Sequence, residues 1–156
     1  MHTTSLCLWF DGKAEEAANF YVGLLGGRIK QVLRNTAGAR GQEGSVLTVI
    51  FELDGRDFVA LNGGPAYKFT PAISFFITCD TQAEIDDLWV KLLGGGKPNR
   101  CGWIDDKYGV SWQIVPGVLA ELLQSPERDK AARAMQAMLG MIKLDIAELR
   151  RAFEGG

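Results

Sequence analysis

Two stretches of this chain open in the same way, 69 residues apart (positions 11 and 80). Asp11-Gly12-Lys13-Ala14-Glu15 and Asp80-Thr81-Gln82-Ala83-Glu84 each follow a short strand-like segment and lead into helical spacing. Nine residues after its Asp, each helix carries a large aromatic, Phe20 or Trp89. A repeat constrains the fold more than any single residue, because both copies must be the same supersecondary unit. In the first copy, Ser5 to Phe10 reads as a buried strand, and Asp11 suits an N-cap with Glu15 and Glu16 in the first turn. Ala14, Ala17, Ala18, Tyr21, Leu24 and Leu25 recur at helical spacing until Gly26-Gly27. Strands are predicted over 28–34, 46–54 and 56–62, the last two joined by the hairpin dipeptide Asp54-Gly55. Residues 35–45, rich in Gly and polar side chains, read as a loop.

The second copy predicts a strand over 72–79 and a helix opened by the capping box Thr81-Gln82-Ala83-Glu84. Ile85, Leu88, Trp89 and Leu92 form its buried stripe, and Gly94-Gly95-Gly96 ends it. A hairpin over 101–105 and 110–115 turns at Lys107-Tyr108-Gly109. The fold class is therefore α+β, as tandem β-α-β-β-β modules over residues 1–66 and 70–116. C-terminal helices occupy 117–156: one over 118–123, one opened by Ser125-Pro126 with Ala131, Met135, Met138 and Ile142 on one face, and one opened by Asp145 and Glu148 that carries Ile146, Leu149 and Phe153. The Met135, Met138, Met141 series reads as core or subunit contact. No low-complexity linker interrupts the chain, so residues 1–156 are expected to pack as a single domain.

Several chemistries are excluded by what the chain lacks. Its 156 residues suffice for a core, and 17 basic against 19 acidic side chains leave no footprint for nucleic acid or an anionic membrane. No apolar run approaches the roughly 20 residues needed to cross a bilayer. The first residues carry no basic n-region, and Cys7, Cys79 and Cys101 have no CxxC spacing, so a cytoplasmic setting is expected. A single histidine, His2, rules out a Ser-His-Asp site away from the terminus and a two-histidine iron site within one chain. The glycine clusters do not sit between a strand and a helix, so a dinucleotide or S-adenosylmethionine cradle is not supported. Cys7, alternating with Trp9, reads as strand core, and Cys101 as a small buried hydrophobe.

Leu8-Trp9-Phe10-Asp11-Gly12 with Ala14-Glu15-Glu16-Ala17 and Phe20-Tyr21, then Phe51-Glu52-Leu53-Asp54-Gly55, form a familiar set with two further stretches. These are Ala60-Leu61-Asn62-Gly63-Gly64-Pro65, and Cys101-Gly102-Trp103 followed by the block from Asp106 to Pro116. Together they resemble the PhnB-like branch of the vicinal oxygen chelate superfamily (glyoxalase, bleomycin-resistance and extradiol-dioxygenase relatives), often labelled 3-demethylubiquinone 3-methyltransferase. The resemblance implies paired modules whose mixed sheets curl into a cup, within a homodimer. It also carries the superfamily's four metal positions onto Thr4, Asn62, Ala72 and Gln113, which offer neither imidazole nor carboxylate. No metal or other cofactor is therefore expected. Strand alternation is read as turning Thr4, Leu6 and Leu8, Ser74 and Phe76, and Ser111 and Gln113 into the cup, with Asn62 beside them and Trp103 and Tyr108 at its mouth. Such a lining suits a small, largely uncharged or aromatic molecule. The reading that follows is a small-molecule-binding protein that works, if it is an enzyme, without metal. The alternative is a divalent-metal lyase, isomerase or dioxygenase with a nonstandard ligand set, and methyl transfer ranks below both.

Overall fold

In the computed structural model, which describes residues 2–156, the sequence repeat is a repeat of topology. The chain divides into two compact units, the first ending at Phe69 and the second beginning at Thr70. The first unit runs β1 (Leu6–Phe10), α1 (Ala14–Leu25), β2 (Arg28–Arg34), β3 (Val46–Leu53) and β4 (Arg56–Asn62). Its four-stranded sheet has the order β1-β4-β3-β2, with β1 parallel to β4 and the other pairs antiparallel. The second unit runs β5 (Ser74–Cys79), α2 (Gln82–Leu93), β6 (Lys97–Pro98), β7 (Trp103–Asp105) and β8 (Ser111–Pro116). Its order, β5-β8-β7-β6 with β5 parallel to β8, is the same pattern element for element. Three helices follow, α3 (Val118–Leu123), α4 (Arg128–Gly140) and α5 (Ile146–Glu154). No helix among the described residues is long and apolar enough to cross a membrane.

Each helix covers one face of its own sheet. In the first unit, register aligns Leu8 with Ala60 and Ala60 with Val49, and all three are buried. Phe51 and Leu53 continue that face, and α1 lays Ala14, Ala17, Ala18, Tyr21 and Leu24 on it, with the Tyr21 and Phe51 rings 6.2 Å apart. In the second unit, Ile104, Trp112 and Ile114 share a face with Cys79 beneath Ile85, Trp89 and Leu92 of α2. Burying each large side chain contributes about 1.5–3 kcal/mol, so these two faces dominate the stability of the units. The Asp54-Gly55 turn has φ 48° and 70°, the paired positive values a type I′ hairpin requires.

Some local expectations are corrected. Asp11 does not cap α1: the N-cap is Lys13, which supplies no side-chain bond, and the Ala14 N–H is taken by Asn62 from the end of β4. The second strand of the second module is the two-residue β6, too short and too proline-bound to show in the sequence. Residues 72 and 73 lie outside β5, and Cys101 is half-buried in a left-handed turn at φ 58°, its N–H donating to Met141 O. Helix α4 starts at Arg128, because Ser125 accepts the Glu127 N–H ahead of the helix. Its buried residues are Ala131 and Ala134; Met135 is exposed, and Ile142 falls beyond the helix, also exposed. Leu119, Leu122, Ala134, Met141, Leu144, Leu149 and Phe153 instead form a C-terminal core. Asp145 caps α5 as expected, accepting the Glu148 N–H at 2.8 Å.

Candidate functional site

With one face of each sheet under its helix, the chemistry open to a ligand lies on the other. In the second unit that face carries Ser74 and Phe76 of β5, Ser111 and Gln113 of β8, and Trp103 and Asp105 of β7. Register sets them in two rows: Asp105, Ser111 and Ser74 side by side, then Trp103, Gln113 and Phe76. Gln113 Nε2 donates to Ser74 Oγ at 3.0 Å. Ser111 Oγ donates to Asp105 Oδ1 at 2.7 Å, and Asn99 Nδ2 to Asp105 Oδ2 at 3.3 Å. Phe76 is 59% exposed, Trp103 and Gln113 half-buried, and Ser111 fully buried. Five of the six module-two residues expected in the site thus share one face.

Tyr108, the sixth, sits in the β7–β8 turn with the Lys107 ammonium 5.2 Å from its ring centre. That turn is organised by Asp106, a buried carboxylate that alternation alone does not single out. Asp106 accepts the Tyr108 N–H at 2.8 Å, the Val110 N–H at 3.0 Å and Trp112 Nε1–H at 2.9 Å. Three donors converging on one carboxylate offset the cost of burying it.

The first unit reverses the expected assignment. Leu6 pairs with Phe58 and Leu8 with Ala60, so both strand positions lie on the face covered by α1, and Leu8 is only 4% exposed. The opposite face carries Cys7, Trp9, Thr48, Ile50, Val59 and Leu61. Cys7, read from sequence as core, is exposed. The repeat offset holds the signal that would have found this: Phe76 shifted back by 69 is Cys7, not Leu6 or Leu8. Trp9 is fixed on this face by its indole N–H, which donates to Gly64 O at 2.8 Å, and by an edge contact with Tyr67. Gly63 is glycine for a reason of space, since a Cβ there would meet the Trp9 ring at 2.2 Å. Thr4 precedes β1 and is exposed.

The four positions implied for a metal do not fit one. Asn62 spends its amide inside the first unit, accepting the Ala14 N–H at 2.9 Å and donating to Val46 O at 3.1 Å. Gln113 is bonded to Ser74, and Ala72 has no side-chain donor atom. Correcting the faces by the repeat substitutes Ser5, just before β1, and Ser74, at the start of β5, with Val59 and Gln113 opposite Cys7 and Phe76. Two hydroxyls, an isopropyl group and an amide make no better set for a divalent transition metal. Among the described residues no three His, Cys, Asp or Glu are grouped to hold one.

Comparison with known proteins agrees with this architecture. A family model described as 3-demethylubiquinone-9 3-methyltransferase matches residues 2–115. The PhnB protein from Bacillus cereus is 36% identical, with a TM-score of 0.68 over 74% of this chain and 100% of its own. PA1353 from Pseudomonas aeruginosa is 21% identical, with a TM-score of 0.63 over 74% of this chain and 98% of its own. The genomically encoded fosfomycin resistance protein FosX from Listeria monocytogenes is 12% identical, with a TM-score of 0.58 over 80% of this chain and 98% of its own, a likeness of fold. Among curated proteins nothing matches. Helices α3 to α5 lie beyond the residues that the family model covers.

Proposed function

The chain belongs to the 3-demethylubiquinone-9 3-methyltransferase (PhnB-like) family, and we propose from that premise that it binds a small organic molecule without a resident metal ion. The observation that carries the reading is the helix-free face of β5, β8 and β7. There Phe76 and Trp103 flank Gln113, next to a row of hydrogen-bonding groups formed by Asp105, Ser111 and Ser74. Apolar walls with a few fixed polar groups are what small-molecule sites are made of. The methyl transfer in the family's description finds little support in this chain. Its β1–α1 turn holds one glycine, Gly12, and its β5–α2 turn none, whereas a nucleotide-like cofactor needs a glycine-rich strand-to-helix turn. Homodimerisation and a cytoplasmic location belong to the same proposal. The dimer is supported by exposed Met135, Leu139 and Ile142, apolar side chains that a partner surface would cover.

The test is ligand-observed NMR with a library of small neutral and aromatic molecules, followed by amide shift mapping on the protein. Binders are expected to shift residues 74–76, 103–105 and 111–113. A library without a single binder, or binders that map only elsewhere, would overturn the reading. Elemental analysis of protein isolated without chelator checks the second half: one divalent metal per chain would favour the metal-dependent lyase, isomerase or dioxygenase instead.

A further inference from the structure

We infer that Asp105 makes this face selective for ligands that carry a protonated amine on a flat apolar body, an inference that rests on the binding role proposed above. Asp105 sits at the β7 end of the site's polar row, beside Ser111, with Trp103 two residues away on the same face of the strand. Both oxygens of its carboxylate are held, Oδ1 by Ser111 Oγ at 2.7 Å and Oδ2 by Asn99 Nδ2 at 3.3 Å. Both donors are neutral, so the charge stays uncompensated, and an ionised carboxylate has about four lone-pair sites of which these bonds use two. Lys97 is its register partner on β6, yet that side chain is exposed at the sheet edge and makes no ion pair among the described residues.

The rest of the row points the same way. Gln113 donates one amide N–H to Ser74 and keeps its carbonyl oxygen as an acceptor, which adds to the open lone pairs of Asp105. Among the six side chains of this face Asp105 is the one that carries charge, so a cationic donor complements it best. An ammonium group does so with full charge complementarity, and Trp103 and the exposed Phe76 supply flat surface for the body attached to it, with added attraction between the cation and the rings. Because Ser111 is buried and fixes the carboxylate before any ligand arrives, little ordering remains to be done on binding.

Three probes with one indole body separate head-group chemistry: tryptamine, tryptophol and indole-3-acetate, titrated by calorimetry at neutral pH. Tryptamine is expected to bind about tenfold more tightly than tryptophol, the scale of one charge-assisted hydrogen bond, and indole-3-acetate most weakly. Asp105→Asn should bring the ratio of tryptamine to tryptophol affinity down to about one. Ser111→Ala, which keeps the charge but frees the carboxylate, should narrow the ratio, and it serves as the test where the Asn variant does not fold. A merely structural Asp105 would lower the melting temperature without moving the ratio. Equal affinity of the intact protein for tryptamine and tryptophol, or failure of all three probes, overturns the amine preference. If neutral library compounds still shift residues 74–76 and 111–113, the binding role survives without it.

Discussion

The two modules share a strand order but secure their helices by different means. Module two begins α2 locally: Thr81 Oγ1 accepts the Glu84 N–H at 3.2 Å, and the Glu84 carboxylate accepts the N–H groups of Thr81 and Asp80. Module one has no such box. Its helix is held at a distance of 48 residues by Asn62, whose amide ties the Ala14 N–H on one side to Val46 O on the other. A topology can thus be repeated while the bonds that enforce it are not. The difference also explains why, of the two module helices, only α2 shows its start in the sequence. A capping box is a local signal, whereas Asn62 gains its role only once β4 has been placed beside β1.

Where the modules do agree at residue level, substitution should be most damaging. Gly27 and Gly96 are 69 residues apart and stand in the same place, just after each helix, where the chain passes a strand carbonyl. A Cβ at Gly27 would lie 2.1 Å from Glu52 O; at Gly96 it would lie 2.2 Å from Leu92 O and 2.4 Å from Asp105 O. No flexible side chain can yield at either position, so backbone must move. Gly27→Ala and Gly96→Ala are each expected to cost about 3–5 kcal/mol, a loss of roughly 10 °C in melting temperature for a chain of this size. Gly27 should be the worse, because its φ of 138° is itself forbidden to alanine. Either variant melting like the parent in a calorimetric scan would break the equivalence of the two helix exits.

The second contrast is between the helix entries. Asn62→Ala leaves the buried Ala14 N–H and the half-buried Val46 carbonyl without their partner and is expected to cost about 2–3 kcal/mol, against about 1 kcal/mol for Thr81→Ala. The sign of the pH dependence separates them further. Hydrogen bonds from the Thr81 and Asp80 backbone hold the Glu84 carboxyl below its usual range. A lowered folded value means that this contribution is complete above the ordinary glutamate range and disappears as pH falls through the lowered one. The destabilisation by Glu84→Gln should therefore vanish in acid, while that of Asn62→Ala should persist, since an amide does not titrate. Denaturant melts over a pH series decide it, and parallel pH profiles for the two variants would show the entries to be alike.

The repeat, the Asp54-Gly55 hairpin, the Thr81 box and the Asp145 cap were legible because each is a local pattern with a local cause. What was not legible depended on pairing. The strand faces of module one were read from a chosen starting residue, Thr4, and alternation carries an error of one through every position after it. In module two the same alternation, started from Ala72, puts Ser74 and Phe76 on the helix-free face. The Ser125 cap failed for a different reason: an N-cap residue followed by proline signals a helix within a residue or two, but Ser125 closes a turn on Glu127 before the helix starts.

The smallest expected effect tests that same question of faces with two thiols. Cys7 lies on the helix-free side of β1, and Cys79 on the covered side of β5, 3% exposed. Partial desolvation at the sheet surface raises the Cys7 thiol above its ordinary value. Burial, then the carboxylates of Glu84 and Asp80, push Cys79 up to about 11. Near pH 8.5 a thiol of that value is only about 0.3% thiolate, and the thiolate is the species that alkylates. Iodoacetamide followed by peptide mass spectrometry should therefore modify Cys7 well before Cys79, with no loss of helix content when Cys7 alone has reacted. If Cys79 reacts as fast as Cys7 in the folded protein, β5 does not turn that residue beneath α2, and the face assignment of module two, with its candidate site, fails with it.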